Sequence, residues 1–241
     1  MKIIKYVSRV FFPRRCVHCN GIIPFSDDFC HKCSLEDCRI PEGFCFHCNS
    51  RRCRCDESRR KLRHITAPFI YTDAAREIIT RLKFRRAKYC AELISHRMAE
   101  KVIEDFSGVD FDFVTFVPMS SNAQKLRGYN QSEVIAKLVS EKPFIPCREV
   151  LIKTKDTPKQ HYLSGESRRK NLADAIALKD GASLKGKTVL LCDDIKTTGS
   201  TLLVCEDVLI SAGAADVYCA VAAIPVFGNL SLSIDKEDKN P

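Results

Sequence analysis

The residues best suited to chemistry are Asp193-Asp194-Ile195-Lys196-Thr197-Thr198-Gly199-Ser200-Thr201. An apolar run, Thr188–Cys192, delivers the two carboxylates, and an apolar helical pattern follows Ser200. A helix start offers unpaired N–H groups and a partial positive charge, which together suit a phosphate. Gly199 lets the backbone approach a ligand, and Thr198, Ser200 and Thr201 add hydroxyl donors. Asp193 and Asp194 would repel a phosphate, but as acceptors they suit two ribose hydroxyls, with a Mg²⁺ nearby. A strand, a turn and a Thr/Ser cap alone would be ordinary. The whole order of apolar strand, paired acids and Thr-Thr-Gly is much rarer and points to a phosphorylated ribose.

The cysteines carry a second chemistry. Nine of the fourteen fall between Cys16 and Cys55. Cys16, Cys19, Cys30 and Cys33 form two C-x2-C knuckles, four thiolates suited to a tetrahedral structural zinc. His18 and His31 are then bystanders. Cys45 and Cys48 repeat the knuckle, whereas Cys53 and Cys55 are a tighter C-x-C. A second zinc is expected there, with Cys38 able to replace Cys53 or Cys55. Neither set leaves a position for an activated water, so both read as structural. The other five, Cys90, Cys147, Cys192, Cys205 and Cys219, sit among apolar residues and read as small buried hydrophobes.

Composition bounds the setting. The chain has 241 residues, 45% of them apolar, and no run approaches the ~20 apolar residues of a membrane span. Met1–Phe12 mixes apolar pairs with Lys2, Lys5 and Arg9, which fits a short amphipathic helix and not a secretory signal. A cytoplasmic location is expected, and clustered C-x2-C pairs there bind metal more often than they form disulfides. Residues 1–101 hold 22 Lys and Arg against 11 Asp and Glu. Two four-thiolate zinc sites, each about −2 in charge, leave that half basic. It suits a polyanion such as nucleic acid, or is simply a solvated basic surface.

Three regions position these residues. A Cys-rich module covers about 13–56, a charged connector about 57–67, and an alternation of strands and helices about 68–227. In the last, Phe69–Thr72 reads as a strand, and Asp73 caps a helix over Ala74–Phe84. A longer helix follows over Ala87–Phe106, then a strand over Phe113–Val117. Gly128 opens a helix carrying Val134, Ile135, Leu138 and Val139. Val150–Ile152 and Ala175–Leu178 are short strands. The strand Thr188–Cys192, the helix Ser200–Ala212 and the strand Val217–Ile224 complete the pattern. The tail from Gly228 is polar. Such an alternation predicts an α/β fold, a mostly parallel sheet flanked by helices. Ligands then bind at the carboxyl ends of the strands.

The Asp193–Thr201 segment resembles the phosphoribosyl pyrophosphate (PRPP) loop of type I phosphoribosyltransferases. Further residues narrow the likeness: Val117-Pro118, then Arg127-Gly128-Tyr129-Asn130-Gln131, then Thr157, Gln160, Leu163, Arg168, Arg169 and Asn171. Together with the Cys-rich start, this order over 68–224 resembles the ComF family of competence-associated proteins. Tyr129 stands where Phe is usual, and Lys153 where Arg is expected, which weakens a bidentate anion contact.

The resemblance implies a type I phosphoribosyltransferase-like domain behind a small N-terminal zinc ribbon. It also implies structural zinc, and Mg²⁺ with PRPP or a related ribose phosphate. Arg127 and Gly128 fall on the ligand edge, where Arg127 would pair with a pyrophosphate or a nucleic-acid phosphate or be a surface Arg. Asn130 and Gln131 would bond sugar or loop backbone, or serve capping and packing. Lys83 is a further candidate anion contact. The implied role is handling of single-stranded DNA in natural transformation, with a competence helicase or other DNA-uptake proteins as partners. Arg14, Arg15, Arg51, Arg52 and Arg54 would meet phosphates, and Phe44 and Phe46 would stack on bases or pack the ribbon. The alternative is a phosphoribosyltransferase acting on an unknown acceptor. Purine-salvage relatives often place a carboxylate base where this chain has Thr197, which argues against that acceptor class. No residue stands out as catalytic.

Overall fold

The computed structural model describes residues 15–24, 27–30, 33, 38–51, 53, 55–56, 62–85, 88–155 and 174–226. The elements run β1 (His64–Thr66), β2 (Phe69–Ile70), α1 (Asp73–Arg85), α2 (Lys88–Asp105), β3 (Phe113–Phe116), α3 (Ser121–Arg127) and α4 (Gln131–Glu141). They continue with β4 (Leu151–Lys153), β5 (Ile176–Leu178), β6 (Thr188–Ile195), α5 (Ser200–Ser211) and β7 (Asp216–Ile224).

Five strands form one sheet in the order β1-β7-β6-β3, with β2 also paired to β7. Every pairing in it is parallel. The period-two alternation of a strand sorts its side chains between two cores. Val189 and Leu191 of β6, with Val217, Cys219 and Val221 of β7, pack with Leu202, Cys205 and Leu209 of α5. Leu190, Cys192, Ala220 and Ala222 belong to the other core, with α1, α2 and α4. Both faces are covered, as a parallel sheet requires. The fold is α/β, a parallel sheet with helices packed on both faces. β4 and β5 pair antiparallel to each other, apart from the main sheet.

Several expectations need correction. The connector expected over 57–67 ends in a strand, because His64–Thr66 pairs with Tyr218–Ala220. The strand at Phe69 stops at Ile70. Thr72, not Asp73, caps α1, its Oγ1 accepting from the Ala75 N–H at 3.4 Å. Gly128 does not open a helix. It closes α3 in the left-handed region (φ 86°), its N–H bonded to the Gln124 carbonyl. Asn130 caps α4 instead, its side chain accepting from the Ser132 N–H. β6 runs three residues past Cys192, so Asp193 and Asp194 lie within the strand. The N-terminal helix over Met1–Phe12, the tail from Gly228, and Thr157, Gln160, Leu163, Arg168, Arg169 and Asn171 lie outside the described residues. So do Arg14, His31, Arg52 and Arg54. Among the described residues no helix is long and apolar enough to cross a membrane.

The Cys-rich module is built into both cores. Val17 and Cys38 join the first, and Phe44 joins the second. Arg39 forms a bridge with Phe69.

Candidate functional site

The Asp193–Asp194 pair sits at the carboxyl end of β6, where side chains from α1 and α4 converge. Asp193 Oδ1 accepts from the Ser132 hydroxyl at 2.7 Å and from the Asp194 N–H at 2.9 Å. Asp194 forms an ion pair with Lys83 of α1 and accepts from Gln131 Nε2 at 3.4 Å. Asn130 donates to the Val117 carbonyl at 3.0 Å, which fixes the start of α4 against the end of β3. The Asn130-Gln131-Ser132 stretch is therefore the frame of the acidic pair, with the capping and packing roles weighed for Asn130 and Gln131. Ser132, given no role from sequence, is the closest partner of Asp193; only its place directly after Gln131 hinted at this.

Electrostatics follow from the burial. Asp193 and Asp194 are 9% and 5% exposed. Burial, with the Asp194 carboxylate beside it, pushes the Asp193 carboxyl up to about 7, against the pull of the Ser132 hydroxyl. Two buried carboxyl groups held side by side form a polar acceptor site for a ligand or cation.

These residues line a cleft of about 380 Å³. Lys83, Lys153, Thr197 and Thr201 line it too, and among the described lining residues the only acids are Asp193 and Asp194. The loop between β6 and α5 folds as a helix entrance. Gly199 stands at the N-cap of α5 with φ 77°, where a Cβ would meet Leu62 Cδ1 at 3.1 Å and Lys196 Cε at 3.2 Å. Thr198 Oγ1 lies 2.9 Å from Ser200 Oγ and accepts from the Ser200 N–H at 3.4 Å. Thr198, Gly199 and Ser200 thus shape the loop, while Thr197 and Thr201 face the cleft.

Arg127 and Gly128 stand apart from the cleft lining. Arg127 Nη1 donates to Gln131 Oε1 at 2.5 Å, so its tie to the acidic pair runs through Gln131. Among the described residues the cation paired with the acids is Lys83. Lys83→Met protein is expected to bind a ribose phosphate about tenfold more weakly, measured by calorimetry, because the charge that orients Asp194 is gone.

The cysteines gather into two groups of four, Cys16/Cys19/Cys30/Cys33 and Cys45/Cys48/Cys53/Cys55. Within each, all sulfurs lie within 4.8 Å of one another. A tetrahedron of ~2.3 Å Zn–S bonds has sulfur–sulfur edges of about 3.8 Å. Cys19 Sγ and Cys30 Sγ are 3.7 Å apart. The donor sets fit two zinc ions. The tight C-x-C closes because the Cys55 N–H donates to Cys53 Sγ at 3.2 Å. Cys38 belongs to neither group; its buried Sγ is 2.7 Å from Thr72 Oγ1.

Both groups are fastened to the sheet domain. Buried Arg81 of α1 donates to the Cys16 carbonyl at 3.3 Å and pairs with Glu77 at 2.8 Å. Asn49, one residue past Cys48, bonds to Lys196 and Thr197. Among the candidate DNA contacts, Arg15 and Arg51 are exposed. Phe44 is 8% exposed and packs edge-to-face on Phe46, with centroids 5.6 Å apart, so it is a core residue.

A groove of about 790 Å³ lies between the module and the β1 edge. There His64 stacks on Tyr218 with centroids 4.2 Å apart. Glu42, Glu104 and Asp105 offset Arg63 and Lys101 in its walls.

Comparison with known proteins gives three kinds of likeness. Residues 130–236 match the family model of the phosphoribosyl transferase domain. The chain is similar to the DNA utilization protein YhgH of Escherichia coli, 28% identical over 153 residues, 61% of this chain and 66% of that protein. The match thus spans slightly less than two thirds of that relative's length. It is also similar to Competence protein F of Haemophilus influenzae, 25% identical over 201 residues, 78% of this chain and 86% of that protein. Among solved structures, glutamine PRPP amidotransferase from B. subtilis is 24% identical, with a TM-score of 0.37 over 54% of this chain and 25% of that one. Hypoxanthine phosphoribosyltransferase from Trypanosoma cruzi is 13% identical, with a TM-score of 0.36 over 56% of this chain and 64% of that one.

Proposed function

We propose that the chain is a ComF-type, phosphoribosyltransferase-like protein that binds PRPP or a related ribose phosphate and handles single-stranded DNA in natural transformation. The observation that carries the ligand reading is the buried acidic pair at the end of β6, opening on a cleft that also presents Lys83, Lys153, Thr197 and Thr201. Asp193 and Asp194 would accept from the two ribose hydroxyls, and with Mg²⁺ bound they would share its charge. The Thr197–Thr201 turn would hold the 5′-phosphate through N–H and hydroxyl donors. Arg127 and Gly128 act from outside that shell, Arg127 by holding Gln131 against the pair.

The phosphoribosyltransferase-like domain, taken as 68–227, gains the His64–Thr66 strand, and the zinc-binding module is taken as 13–56. The DNA reading draws on the names of the relatives and on the basic charge of residues 1–101. The protein would act in the cytoplasm, beside a competence helicase or other DNA-uptake proteins. A second reading, transfer of the phosphoribosyl group to an unknown acceptor, is favoured by the two lysines in the cleft. They would stabilise charge on departing pyrophosphate.

Calorimetry of PRPP with Mg²⁺ against the full zinc-loaded chain tests the ligand: saturable binding is expected, and its absence overturns the reading. Fluorescence anisotropy with a labelled oligonucleotide tests the DNA arm. Binding that weakens steeply between about 50 and 200 mM salt is expected from phosphate contacts. Pyrophosphate release dependent on PRPP and an acceptor would favour the second reading.

A further inference from the structure

Asn49 is fully buried and polar, stands in the left-handed region (φ 56°), and bridges two parts of the chain about 150 residues apart. Its Nδ2 donates to the Thr197 carbonyl at 3.2 Å, and its Oδ1 accepts from Lys196 Nζ at 2.6 Å. Lys196 is 3% exposed and also reaches the His47 carbonyl, at 3.5 Å. Asn49 itself follows Cys48 directly, in a turn closed by the bond from the Cys45 N–H to the Ser50 carbonyl at 2.9 Å. The left-handed backbone explains the residue type, since Asn adopts it more readily than most side chains.

The other contacts point the same way. A Cβ at Gly199 would come within 3.2 Å of Lys196 Cε, so the side chain that reaches Asn49 also packs directly against the loop. Its N–H donates to the Ala223 carbonyl at 3.1 Å, which leaves the side chain as the adjustable part. Four thiolates around a zinc dication carry about −2, and a buried ammonium beside them offsets half of that charge. The second cysteine group and the phosphate loop therefore share one buried polar network, with Asn49 at its centre.

We propose that Asn49 is a positioning residue of the phosphate loop, through which the order of the Cys45/Cys48/Cys53/Cys55 knuckle sets the order of residues 196–199. The consequence for ligand binding rests on the cleft being a ribose-phosphate site; the fastening of the loop does not. An intact knuckle holds Asn49 in its left-handed turn, and Asn49 then holds Lys196 and the Thr197 carbonyl. Loss of the metal or oxidation of the thiols frees the turn and, with it, the loop.

Asn49→Gly is the informative variant, because glycine keeps the backbone conformation and deletes both side-chain bonds. In the full zinc-loaded chain it is expected to retain two zinc ions by elemental analysis. Hydrogen–deuterium exchange at the amides of 197–201 should quicken about tenfold, and affinity for PRPP with Mg²⁺ should fall by about the same factor. Lys196→Met should produce a similar change, and the double variant should be little worse than either alone, since one network is lost in each case. Cys53→Ser/Cys55→Ser protein should show the same local quickening without any change at Asn49. Unchanged exchange at 197–201 in Asn49→Gly, or fully additive effects in the double variant, would overturn the proposal. If the wild type binds no PRPP yet exchange still quickens, the ligand reading fails and the fastening stands.

Discussion

Asp193→Asn/Asp194→Asn protein is expected to give no detectable heat with PRPP and Mg²⁺, yet to melt higher than the wild type at pH 8. The first half follows from removing both charges that would accept from ribose hydroxyls and share a metal; a loss beyond 100-fold is the expected scale for two charge-assisted contacts in a buried site. The second half follows from linkage. The Asp193 carboxyl is raised to about 7 by burial and by Asp194. Between about pH 4 and 7 the folded chain therefore binds a proton that the unfolded chain has released, so stability falls as pH rises through that window. Above it the full cost of the buried charge is present, at most about 4 kcal/mol. Amides remove that cost while still accepting from Ser132, and the loss of the Asp194 partner of Lys83 offsets part of the gain. A gain in Tm of roughly 5–10 °C at pH 8 should therefore shrink through neutrality and vanish by about pH 4. Scanning calorimetry across pH checks it, and an equal or lower Tm at pH 8 would contradict the burial argument.

Stripping zinc is the second large perturbation. Four-thiolate sites in small domains contribute apparent binding free energies of about 10–16 kcal/mol, which in such domains is folding free energy. Here the effect should not stay local, because Val17 and Phe44 sit in the two cores of the sheet domain and Arg81 is anchored on the Cys16 carbonyl. Chelator-treated protein is expected to lose more than about 10 °C in Tm, to become cleavable by protease within 15–56, and to expose α1. The wild type should carry two zinc ions per chain. Chelation that leaves the melting curve unchanged would mean the cysteine groups hold no structural metal.

How far the sequence could be read depended on the range of the interactions. The β6–loop–α5 unit was legible because its signals are contiguous: an apolar run, two acids, small hydroxylated residues, then a helical period. The first zinc set was legible for the same reason. Gly128 was misread because a left-handed glycine marks a helix end as readily as the turn before a start, and α3 carries no buried residue to betray its period. β1 was hidden because three residues beside a basic run are too few for an alternation to show, and only pairing with β7 makes them a strand. Asn49 and Ser132 were beyond reach. Their partners lie 148 and 61 residues away, and nothing local distinguishes a framing side chain from an ordinary cap.

The order of the sheet has a consequence for biosynthesis. β7 is flanked by β6 on one side and by β1 and β2 on the other, and all of them precede it in the chain. On a ribosome, the central seam of the sheet stays open until residues 216–224 have emerged. Until then β1, β2 and β6 expose unpaired edges of the kind that invite aggregation. Both cysteine groups precede every strand of the sheet in the chain. A nascent chain is thus expected to present both zinc-binding cysteine groups while its sheet is still open.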